Sequence, residues 1–116
     1  MSYLLPKDLT PSWFKYPKEF LKTIELPIIN ITPWYILGDE QLHQKFKGLK
    51  ERFPSRDFMP FAKRDDNDDV ACWSKDDPQK VIIIHDFSTE GWEIVKVYDS
   101  FWDWFKDAIQ DMIEFD

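Results

Sequence analysis

Apolar residues recur at helical spacing in three stretches of the chain and at strand spacing in four. Pro17 can occupy the first turn of a helix over residues 17–25, whose buried face would hold Phe20, Leu21 and Ile24. Ser12, Trp13 and Phe14 form an earlier turn beside it. After the extended ITPWYIL, Gly38 ends the apolar run and Asp39 can cap a second helix by accepting a backbone N–H. Leu42, Phe46, Leu49 and Phe53 repeat at helical intervals with Lys45, Lys47, Lys50 and Arg52 between them, so this helix is amphipathic and ends before Pro54.

From residue 57 the period shortens to that of strands: DFMPFAK, DVACWS, KVIIIHDF and WEIVKVY, separated by RDDND, KDDPQ and STEG. Hairpin-length spacings predict a largely antiparallel sheet. Val81 to Ile84 are apolar at successive positions, as in a strand covered on both faces. WEIVKVY alternates more, and Glu93 and Lys96 predict one wet face. Asp99 or Ser100 starts a closing helix, with Asp103 three residues after Ser100 in a relative of the capping box. Its buried side would hold Phe101, Trp104, Phe105, Ala108, Ile109 and Met112. Helices, then strands, then a helix make a single α+β domain over residues 1–116: an antiparallel sheet of four to six strands, with N-terminal, middle and C-terminal helices against it.

With 116 residues the chain can remove roughly 65% of its extended-chain surface from water, and 10 Phe, 6 Trp and 4 Tyr supply a core of large rings. Trp34, Trp73, Trp92, Trp102 and Trp104 are expected in that core or at its rim, Trp102 being the one beside its helix's main stripe and free to anchor a partner.

The formal charge of -7 is uneven: residues 1–58 carry 9 Lys/Arg and 7 Asp/Glu, residues 59–116 carry 6 and 15. Such a chain is unsuited to phosphate backbones, which are bound through Lys and Arg. An acidic half instead attracts a basic protein. One cysteine, Cys72, excludes an intramolecular disulfide and a multi-cysteine zinc site. No apolar run approaches the roughly 20 residues of a membrane span, and the first ten residues lack a signal-peptide pattern, so the cytoplasm is the expected location.

Asp65-Asp66-Asn67-Asp68-Asp69 invites a calcium reading, but Val70 stands where the EF-hand loop needs glycine, Asp76 stands at its glutamate position, and strands flank it instead of helices. A solvated turn is the expectation, since Asp and Asn favour turns by bonding their own backbone. His85-Asp86 has only His43 as a second imidazole, and Cys72 lies inside a strand rather than in a setting that favours thiolate. No catalytic, cofactor or metal residue is therefore assigned. The carboxylates left for a partner are Asp65, Asp66, Asp68 and Asp69 in one connection and Asp76 and Asp77 in the next, with Trp102 as an aromatic anchor. Pairing of the intervening strands would send the two connections to opposite ends of the sheet.

WYILGDEQL, PFAKRDDNDDVACW, KVIIIHDF followed by GWE, and YDSFWDWF together resemble the SUKH superfamily, from Trp34 to the C-terminus. That superfamily includes bacterial immunity proteins of polymorphic toxin systems and a fungal cell-wall assembly regulator. Its pattern of a strand ending in apolar residues, a Gly- or Asp-rich turn, an aspartate entering the next strand and a late aromatic helix falls on Phe61 and Ala62, Asp65 to Asp68, Asp69, and Ser100-Phe101 with Trp104. Asn67 stands where many relatives have glycine, a change Asn tolerates because it also accepts left-handed conformations. The resemblance implies an α+β fold and a non-enzymatic role: binding and neutralising a cognate toxin, often a nuclease or deaminase. A regulatory scaffold for endogenous partners is the alternative, followed by a small metal-dependent hydrolase built on His85, Asp86 and the acidic connection.

Overall fold

The computed structural model describes residues 2–115. Three helices and six strands follow one another as α1 (Lys18–Glu25), β1 (Asn30–Ile31), β2 (Trp34–Ile36), α2 (Asp39–Arg52), β3 (Phe58–Arg64), β4 (Asp69–Ser74), β5 (Asp77–His85), β6 (Ile94–Tyr98) and α3 (Phe101–Glu114). The strands form one antiparallel sheet in chain order, a meander with β1 and β6 at its edges. The α+β class read from the periodicities is the observed one.

The two-residue period of the central strands separates two cores. Ala71 and Trp73 of β4 and Val81 and Ile83 of β5 share a cluster with Phe20 of α1 and Phe101, Trp104, Phe105 and Ala108 of α3. Val70, Cys72, Ile82 and Ile84 point the other way and pack with Leu49 and Phe53 from the end of α2. The sheet thus lies between α1 and α3 on one side and the second half of α2 on the other. Val81 to Ile84 are buried throughout, as their unbroken apolar run predicts.

Several boundaries differ from expectation. α2 is capped at Gly38, not Asp39: Asp39 adopts φ 45°, and its carboxylate accepts a hydrogen bond from the backbone N–H of Ser2 at 2.8 Å, tying down the N-terminal arm. β5 begins at Asp77 after a two-residue turn, and it tolerates Pro78 because the ladder with β4 is irregular there. Leu21 is exposed because Thr23 shares the buried arc with Phe20 and turns α1 away from Leu21. Met112 is exposed in the last turn of α3. The start of α3 matches the reading of its sequence: the Ser100 hydroxyl accepts from the Asp103 N–H at 3.2 Å.

Candidate protein-binding surface

The acidic connection between β3 and β4 is a turn whose carboxylates diverge. Asn67 Oδ1 accepts from the Asp69 N–H at 2.8 Å, closing the turn on itself. Arg64 grips Asp66 with two hydrogen bonds of 2.8 and 2.9 Å and reaches Asp111 of α3 at 3.2 Å. The Arg64 hydrogen bond holds the Asp66 carboxyl below its ordinary range. Asp69 faces His85 at 3.3 Å. Asp65 is exposed, and the backbone carbonyl of Asp68 accepts from the Asp86 N–H. Among the described residues no three His, Cys, Asp or Glu side chains converge to hold a metal ion.

Asp76 and Asp77 sit at the opposite end of β4, 3.9 Å from Arg56 and 3.7 Å from Lys80 respectively. Trp102 belongs to that end, half-open in a shallow hollow it shares with Trp13, Pro17 and Pro78. The structure therefore brings Trp102 toward the Asp77 end and leaves the Asp65 to Asp69 turn apart. His43 is exposed on α2, and the side chain bonded to His85 is Asp69. Cys72 is fully enclosed, and burial raises its thiol pKa well above the ordinary value, the opposite of an activated nucleophile.

A different surface emerges where β5 passes to β6. Residues 86–93 are fastened to α2 and the turn after it at three points. Asp86, fully buried, accepts from Lys45 Nζ at 2.5 Å and from Arg52 Nε and Nη2 at 2.7 and 2.8 Å. Glu90 accepts from the Ser55 hydroxyl at 2.7 Å, and Glu93, also fully buried, accepts from Arg56 Nε at 3.1 Å. Between these anchors Phe87 is 64% and Trp92 81% exposed. The Arg52 guanidinium lies 4.8 Å over the Phe87 ring, a cation–π contact that steadies it.

β6 continues the surface with Val95 at 58% and Val97 at 50% exposure, and Ile94 is also open. Expectation is reversed here: Trp92, expected in the core or at its rim, is in water, and Glu93, read as wet, is inside. One signal was available in the sequence. The last strand of a meander has a single neighbour, and WEIVKVY holds more apolar side chains than such a strand can cover. Contiguous apolar surface on an unpaired edge invites another chain, and within β6 only Lys96 guards against it.

No protein-family model, curated protein or solved structure matches this chain. No helix among the described residues is long and apolar enough to cross a membrane.

Proposed function

We propose that this chain is a non-enzymatic protein-binding domain of the immunity type, which neutralises a toxin domain by covering its working surface. The observation that carries this reading is the display of Phe87 and Trp92 beside the open apolar edge of β6, on a connection held by buried ion pairs. Large aromatic side chains fixed in place are the residues around which binding energy concentrates. The acidic excess of residues 59–116 supplies complementarity to a basic cleft such as that of a nuclease, where it would compete with the nucleic acid held there. The sequence resemblance to SUKH immunity proteins points the same way.

Co-expression with any toxin domain encoded beside its gene tests the reading, and a gene with no such neighbour counts against it. The wild-type chain is expected to restore growth and to co-purify with the toxin. Trp92→Ala, which empties no core position, is expected to leave stability within about 0.5 kcal/mol and to abolish protection. Growth arrest despite abundant wild-type protein would end the proposal.

A further inference from the structure

The two faces of β6 differ in chemistry. Ile94 and Val97 stand beside Ile84 and Ile82 on the α2 side of the sheet, where α2 packs chiefly on β3 and leaves the last strand open. Lys96 and Tyr98 stand beside Ile83 and Val81 on the α3 side, and both donate hydrogen bonds to Asp107. Asp103 lies one turn earlier on the same face of α3, and Asp99 directly follows the strand. Among the described residues no strand pairs with the outer backbone edge of β6.

The charge around this edge is acidic. Residues 86–107 hold six carboxylates (Asp86, Glu90, Glu93, Asp99, Asp103 and Asp107) and two lysines, Lys96 and Lys106. Asp86 and Glu93 are buried against cations, and Asp107 is matched by Lys96. Glu90, Asp99 and Asp103 remain without a cationic partner among the described residues, with Lys106 the only unmatched base in the segment.

Resting on the protein-binding function above, we propose that the free edge of β6 takes up an extended segment of the partner as an added strand. That segment alternates apolar side chains, laid against Ile94 and Val97, with Lys or Arg facing Asp99 and Asp103. Period-two alternation follows from Lys96, Val97 and Tyr98, which take alternate faces beyond the extra residue Val95 that sets Ile94 on the face of Val97, and backbone pairing follows from the open edge. A second copy of this chain is a poorer occupant, because each copy carries -7 and the one base its β6 offers, Lys96, is already matched to Asp107.

The test uses the full chain and three capped octapeptides: alternating Arg and Val, the same with two central Val replaced by Pro, and alternating Glu and Val. The Arg–Val peptide is expected to bind and to slow hydrogen exchange of the 94–98 amides by about tenfold or more, while the other two do neither. Val97→Glu is expected to weaken binding by about tenfold although it adds attraction for arginine, because apolar contact is lost. Asp99→Asn combined with Asp103→Asn should weaken binding at low salt, with the difference fading as salt rises. Absence of binding by the Arg–Val peptide overturns the proposal, as do equal binding of the Pro peptide, protection confined to other amides, or tighter binding by Val97→Glu. Protection of 94–98 in the chain alone together with a dimeric mass would make a second copy the occupant and overturn it equally. A toxin that is neutralised without protecting 94–98 removes strand addition and leaves the immunity function standing; peptide pairing without toxin protection does the reverse.

Discussion

Asp86 illustrates what a residue can hide in a sequence. Beside His85 it suggests a metal or catalytic pair, yet its carboxylate is fully buried and spent on Lys45 and Arg52, which hold the start of the β5–β6 connection to α2. Its partners come from 41 and 34 positions earlier, so no local pattern announces them. Glu93 is the same case: a charged residue in a strand reads as wet until Arg56, 37 positions earlier, is seen beside it. Removing one member of a buried ion group strands the others, whereas replacing the whole group by apolar residues is often neutral. Asp86→Ala is therefore expected to lower unfolding free energy by about 3 kcal/mol in urea titrations, and the triple change Asp86→Ala, Lys45→Met, Arg52→Met to recover most of that loss. A single variant as stable as wild type would mean the trio holds nothing in place.

Among the elements, α3 was the most legible because its start is written locally: Ser100 and Asp103 supply the cap, and the aromatic stripe after it is long and strongly periodic. β6 was the least legible, since its pattern says which residues alternate and not whether a second layer covers them. α3 and β6 are joined by Asp107, which accepts from Tyr98 and Lys96. The Tyr98 hydrogen bond first, and then that of Lys96, depress the Asp107 pKa below its ordinary 3.8. A depressed carboxyl adds stability that is fully present above its unfolded value and is lost as pH falls through the folded one. The stability difference between wild type and Asp107→Asn should accordingly be constant above about pH 5 and shrink as pH drops below about 4. Urea unfolding midpoints across that range provide the measurement, and a difference that grows on acidification would refute the assignment.

At the scale of the whole molecule, the antiparallel run of β3 to β6 was readable because short connections separate those strands, whereas the pairing of β2 with β3 across α2 was not. The side of the sheet on which each helix lands was not, since strands apolar on both faces accept a helix on either. The proline-rich first segment announced only the turn at Ser12 to Phe14, closed by the Phe14 N–H on the Pro11 carbonyl, and the structure gives the rest of it a definite place. Leu5 and Phe14 are buried, the Phe14 ring lies 5.1 Å from that of Trp73, and the Tyr16 hydroxyl accepts from the Leu5 N–H at 2.9 Å. Ser2 and Asp39 exchange hydrogen bonds at the mouth of α2. Phe14→Ala alone is expected to cost about 3 kcal/mol with cooperative unfolding retained. Removing residues 2–16 would uncover Trp73 and take away both buried anchors, a loss comparable with the whole stability of a small domain, about 5–15 kcal/mol. The truncated chain is expected to lose its sharp urea transition and to bind a hydrophobic dye, as chains with secondary structure but loosened packing do. Unfolding of that chain at the wild-type urea concentration would show that the arm lies on the core without supporting it.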